Sequence, residues 1–187
     1  MSWSKASLVL SFLSIILGCS PSSSGEERKG ISGFVVEIRP DTQQVLVAEN
    51  DNTASDNRYD AVIYSVDNHT SIFDRKGNAL IFSDITLGQE VDVWANTPDA
   101  ESYPASAGAS KIIVREDLSF PTSKITRSQA IHLALEEFSK NKTKGEIVKN
   151  TTFVENTWVI SIMNYKGDVN QEIIIDANTG QVKETRG

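Results

Sequence analysis

For covalent or metal chemistry this chain offers two histidines, one cysteine and a scatter of serines and carboxylates. His69 stands in "DNHTSIF" and His132 in "QAIHLAL", so far apart in sequence that neither has a neighbouring companion for acid–base work. A zinc site asks for three or four clustered His or Cys ligands, which two separated histidines and a single cysteine do not supply. No "GxSxG" turn that would expose an activated serine occurs, and no "GxxxxGK[ST]" loop that would cradle a phosphate. "NDNTASDN" (residues 50–57) is acidic and Asn-rich, but it lacks the spaced ligands and closing Glu of a calcium loop and reads as solvated. "DANTG" (176–180) reads as a turn, and the sequons at Asn68, Asn141 and Asn150 as chance. No catalytic residue, metal or cofactor is expected.

Cys19 is different, because its surroundings give it a chemistry. Lys5 precedes an apolar segment from Ala6 to Leu17, and the small Gly18 stands directly before the cysteine, the three-part pattern of an export signal. A dozen apolar residues fall short of the roughly 20 that span a bilayer. "IILGC" (15–19) resembles the lipobox of bacterial lipoproteins, which implies cleavage before Cys19 and attachment of diacylglycerol to its sulfur. An exported chain with one unpaired thiol would otherwise carry a reactive cysteine, and two acyl chains are what make such an anchor stable. The alternative is a plain secreted protein with Cys19 near the cleavage point. Residues 1–18 are thus expected to be a signal peptide and 19–30 a lipidated cysteine with the tether "SPSSSGEERKG", holding the next domain on the order of 15 to 20 Å from an extracytoplasmic membrane face.

The elements that follow have two characters. From Ile31 to Asp117 there are 15 acids and 6 bases; from Leu118 to the end, 8 acids and 9 bases. An acidic first part repels phosphate backbones, so nucleic acid is not an expected partner. Period-two runs predict strands over 32–38, 44–48, 59–67, 89–95 and 109–116, the first two joined by a turn at "RPDTQ". "FSDITLGQ" (82–89) predicts a short helical turn. Five short strands with an insert between the third and fourth point to a small closed OB-like barrel over 31–117, with a β-sandwich fragment as runner-up. The pattern "GFVVEI", "VLVAE", "SVDNHTSIFD", "SDITLGQEVDVW" and "ESYPASAGASKIIV" resembles the uncharacterised YobA-like domain of small bacterial lipoproteins, which implies an envelope context and no established activity.

Residues 122–187 read otherwise. Thr126 stands three residues before Gln129 as a capping box, and Ile131, Ala134, Leu135 and Phe138 share a helical face. "TTFVENTWVISIM" and "NQEIIIDANTGQVKE" predict strands, with Trp158, Ile160 and Ile162 on one face and Ile173 and Ile175 on another. Ile125, Ala130, Ala134 and "IIIDANTGQV" (173–182) resemble the PepSY domain, for which an inhibitory or peptide-binding role has been proposed. The expected fold is mainly β with an α+β part: a five-stranded OB-like barrel, then a helix on an antiparallel sheet. The two parts are expected to fold independently.

The recognition residues singled out are aromatic. In "EVDVWAN", Val91, Val93 and Ala95 alternate onto one face and leave Asp92 and Trp94 on the other, with Tyr103 in the loop beyond. Trp94 and Tyr103 are therefore the candidate ligand contacts, and cover of Trp94 by a neighbouring loop or by the second domain is the bland alternative. The function expected is that of a non-catalytic, lipid-anchored envelope protein that binds or inhibits a protein or peptide partner. An envelope enzyme acting on wall or peptide substrates, or a structural spacer, are the alternatives. A carboxylate pair buried in one cleft with displaced pKa values would favour the enzyme.

Overall fold

The computed structural model describes residues 28–50, 61–96, 102–140, 145–167 and 169–187; Cys19, its signal, the tether up to residue 27 and most of the "NDNTASDN" loop lie outside them, while Arg28–Gly30, expected in the tether, already belong to the first strand. Seven strands build the first domain: β1 (Arg28–Arg39), β2 (Gln44–Glu49), β3 (Ala61–Ser65), β4 (Ser71–Asp74), β5 (Ala79–Leu80), β6 (Glu90–Ala95) and β7 (Ala105–Val114). Five of them close on themselves in the order β3-β2-β1-β6-β7, with β7 returning to β3 in parallel through Val62↔Ala105 to Ser65↔Gly108. This is the OB-like barrel. Long β7 gives the far half of that same edge to β4, so the β4–β5 hairpin is the insert between the third and fourth barrel strands. Those strands are four and two residues long, too short to carry a period.

Closure of so small a barrel requires β1 to coil, and the chain provides for it. Gly33 lies so close to β2 that a Cβ there would stand 1.9 Å from the Ala48 carbonyl oxygen, and register shifts follow at Val35/Glu37. Gln43, left-handed at φ 52°, completes the turn from Pro40–Thr42 into β2. The interior is filled by Val35, Val45, Val47, Val91, Val93 and Ile112 around a fully buried Tyr64, whose hydroxyl accepts the Ile31 N–H at 3.1 Å.

The second domain is one helix, α1 (Arg127–Ser139), on an antiparallel sheet of β8 (Glu146–Val154), β9 (Thr157–Asn164), β10 (Asn170–Asp176) and β11 (Val182–Arg186) in the order β11-β10-β9-β8. Thr126 caps the helix reciprocally: its Oγ1 accepts the Gln129 N–H and its own N–H donates to Gln129 Oε1 at 2.9 Å. The register pairs Ile173 with Ile160 and Ile175 with Trp158, so the two sets expected on separate faces form one face under α1. Antiparallel partners point the same way, which alternation within each strand alone does not reveal.

The two domains are not independent in their packing. Phe34, Val36, Leu46, Ala48 and Ala61 point out of the barrel and are buried with Ile131, Leu135, Phe138, Ile147 and Trp158 in one continuous core. β1 and β2 are therefore buried on both faces along Gly33–Val36 and Val45–Ala48. The linker is fixed as well: Asp117 accepts the Ser128 N–H at 3.0 Å, Phe120 stacks on Phe153 at 4.2 Å, and Ser123 Oγ accepts from Trp158 Nε1 at 3.3 Å.

Candidate functional site

OB barrels use the outer face of their second and third strands, with the loops after strands one and four, to bind extended ligands. Here most of that face is occupied from within. Leu46, Ala48 and Ala61 lie beneath the second domain, and what stays open is a groove of about 590 Å³ where barrel, helix and second sheet meet. Its barrel wall is Val36 to Arg39 at the end of β1, Ile63 on β3 and Pro104 before β7; its other wall is Leu135, Glu136 and Ser139 on α1 with Gly145, Glu146 and Tyr165. The floor is apolar and the rim polar, at a junction of domains, and the volume is that of a ligand site.

Each polar group on this rim has a fixed position. Arg39 donates through Nε and Nη2 to Glu37 at 2.8 and 3.0 Å, and this bidentate pairing raises the Arg39 pKa. Burial pushes the Glu146 carboxyl above the usual carboxylate range, and the Glu37 charge adds to the effect. Burial likewise raises the Tyr165 hydroxyl, reinforced by Glu37, Tyr103 and Glu146. Gly145, at φ +86°, lets the chain pass against the Tyr165 ring; a Cβ there would meet Cδ2 at 2.0 Å. Tyr103, 54% exposed, stands edge-on to Tyr165 with centroids 5.3 Å apart.

The two aromatic candidates are thus separated. Tyr103 does not line the groove and adjoins it through its ring contact with Tyr165. Trp94 sits at the other end of β7, opposite Lys111, which is about 20 Å along the strand from Ala105 at roughly 3.3 Å per residue. It lies on the outer face with Glu90 and Asp92, half-buried, with Lys111 Nζ 4.1 Å from the ring centroid. His69 is in an exposed turn, its backbone N–H bonded to Asp67, and His132 Nε2 lies 3.3 Å from Glu136 on the same helix. Among the described residues no group of three or more His, Cys, Asp or Glu is placed to hold a metal. Glu37, Arg39, Glu146 and Tyr165 are groove residues that sequence reasoning missed; each sits at a strand end, and no spacing links them.

A second polar feature joins the domains. Glu90 accepts from Arg115 Nη1 at 2.5 Å, from Asn50 at 2.7 Å and from Arg127, the first residue of α1. Arg115 also grips Asp92 through Nε at 2.8 Å and Nη2 at 2.5 Å, and Ser32 donates to Asp92 at 2.5 Å. The guanidinium holds the Asp92 carboxyl below the usual range, with the Ser32 bond assisting. These groups form a joint in which Arg127 Nε is buried without a hydrogen-bond partner. The hollow over the outer face of the second sheet, by Lys149, Ser161, Glu172 and Arg186, is lined by polar residues and glycine only.

Comparison with known proteins agrees with this division. Residues 32–115 match the family described as a protein of unknown function, DUF3221, and residues 124–186 match PepSY, the peptidase propeptide and YPEB domain. Neither is a catalytic family. No curated protein and no solved structure matches. The barrel formed around "GFVVEI" and "LGQEVDVW" and the helix-on-sheet unit that closes on "IIIDANTGQV" are therefore a DUF3221 domain followed by a PepSY domain.

Proposed function

We propose that the protein is a non-catalytic, lipid-anchored binding module of the bacterial envelope that takes an extended peptide segment of a partner into the groove between its two domains. The observation that carries this is the groove itself: an open remnant of the OB ligand face with an apolar floor, lined by Tyr165, against which Tyr103 stands edge-on. The peptidase-propeptide association of the PepSY family agrees with a polypeptide ligand. Titration of the protein with a pool of extended hexapeptides, followed by amide chemical shifts, tests it: shifts centred on Ile38, Gly145 and Tyr165 are expected. Tyr103→Ala should weaken binding by about 1 to 2 kcal/mol, since truncated interface aromatics cost about that or more. Shifts that avoid the groove, or none, would sink the proposal. Trp94→Ala in the same titration separates a ligand that also runs along the β1–β6–β7 face from one confined to the groove.

The anchor is a proposal on separate grounds, the "IILGC" motif and the isolated thiol. Cys19→Ser is expected to move the protein from the detergent phase to the aqueous phase on partitioning. Retention with membranes would reject lipidation.

A second reading, an enzyme acting on wall or peptide substrates, draws on Glu37 and Glu146 sharing one groove. Burial raises the Glu146 carboxyl, while Glu37 is paired with Arg39 and 45% exposed. Turnover of a peptidoglycan fragment or peptide, abolished by Glu146→Gln, would be the mark of that reading.

A further inference from the structure

We propose that the groove selects a basic residue: the ammonium or guanidinium of a Lys or Arg side chain on the bound peptide is seated between the Glu146 carboxylate and the Tyr103–Tyr165 pair. This rests on the peptide-binding function proposed above and names the chemistry of its ligand. The charges of the groove point one way. Among the described residues, Glu37, Glu136 and Glu146 line it against one guanidinium, Arg39. Arg39 is spent on Glu37 through two hydrogen bonds, and Glu136 faces His132 on its own helix at 3.3 Å. No cation among the described residues pairs with Glu146, whose carboxyl accepts from its own N–H and that of Gly145 and is partly desolvated.

A half-buried carboxylate with no counter-charge among the described residues is an arrangement that a ligand cation can improve. An anionic side chain would be repelled there, and a neutral one would complete the desolvation and offer nothing in return. A cation supplies the missing charge. It also finds the Tyr165 ring lining the same groove as the carboxylate, with Tyr103 edge-on behind it, the partnership in which a desolvated ammonium or guanidinium gains most. The rings are positioned in advance, because Tyr165 is pinned against the Gly145 backbone and Tyr103 is set edge-on to it. Less reorganisation is then needed on binding. The acidic balance of the first domain adds long-range attraction for a basic segment.

Calorimetric titration of the detergent-solubilised full-length protein tests this with three acetylated and amidated extended peptides, identical except for a central Lys, norleucine or Glu. The Lys peptide is expected to bind about tenfold more tightly than the norleucine peptide, and the Glu peptide more weakly than either. Glu146→Gln should bring the Lys peptide down to the norleucine level, and Glu146→Lys should turn the preference towards the Glu peptide. Raising ionic strength should narrow the gap between Lys and norleucine. Equal affinity for Lys and norleucine, or a Lys preference that persists in Glu146→Gln, would overturn the cation inference and leave the peptide-binding function standing. Absence of binding by all three peptides would overturn both.

Discussion

Cut between Asp117 and Phe120, the chain is expected to yield a barrel fragment, residues 28–117, that fails to fold. The reason is the two-sided burial of β1 and β2. Removing the PepSY domain would expose Phe34, Val36 and Leu46, which are 4%, 5% and 2% accessible in the intact protein, together with Ala48 and Ala61. Each large apolar side chain contributes about 1.5 to 3 kcal/mol when buried, so the three together account for roughly 5 to 9 kcal/mol. Domains are stable by only about 5 to 15 kcal/mol in total, and a unit of under 100 residues buries a smaller share of its surface than a larger one. The loss is comparable to everything the barrel has. An amide correlation spectrum of the fragment is expected to be collapsed or broadened by aggregation through the exposed face. A well-dispersed spectrum that matches the barrel signals of the full chain would show that the interface is dispensable.

That interface was partly visible in the sequence. "GFVV" and "VLVA" are continuous apolar runs, the mark of strands covered on both faces, whereas "EVDVWA" alternates as a strand with one wet face does. What the runs could not say is which element covers the second face, since burial by a neighbouring domain leaves the same pattern as burial by a second sheet. α1 was legible in full because its signals are local: Thr126 and Gln129 for the cap, Ile131, Ala134, Leu135 and Phe138 for the face. The barrel was legible as a class of fold though not in its strand order, and Val91, Val93 and Ala95 do point inward, leaving Trp94 outside. The groove was not legible. Glu37 and Glu146 are more than 100 positions apart on different domains, and only the packing of α1 and β8 against β1 and β2 brings them to one rim. Tyr103 was singled out for its place in the loop after β6; its partner Tyr165, in the "NYKG" turn, carried no signal beyond being aromatic.

Glu90→Ala is expected to destabilise the full protein by about 3 to 5 kcal/mol, the usual effect of removing one partner from a buried ionic cluster. The side chain is 9% exposed and is shared by Arg115 on the barrel, Arg127 on the helix and Asn50, so its loss leaves Arg127 without its counter-charge while Arg115 keeps Asp92. Arg127 has little room to turn elsewhere, for its guanidinium stands 5.2 Å from the Phe34 ring centroid and its side chain is only 16% exposed. The cost is thus mostly that of the uncompensated charge, which gives a second outcome. Arg127→Met in the Glu90→Ala background should recover part of the stability, although Arg127→Met alone should be destabilising. A fall in midpoint that is the same with and without Arg127 would mean that Glu90 does not couple the domains. The cluster also sets an acid limit. Asp92 has its pKa lowered from 3.8 in the folded state by Arg115, so its contribution is present above that value and is lost as pH falls through the lower, folded-state value. Wild type should therefore exceed Asp92→Asn in denaturant midpoint at neutral pH, and the two should converge as pH drops below about 4. A difference that stays constant with pH would assign Asp92 a packing role in place of an ionic one, and would leave Glu90 as the charge that ties the helix to the barrel.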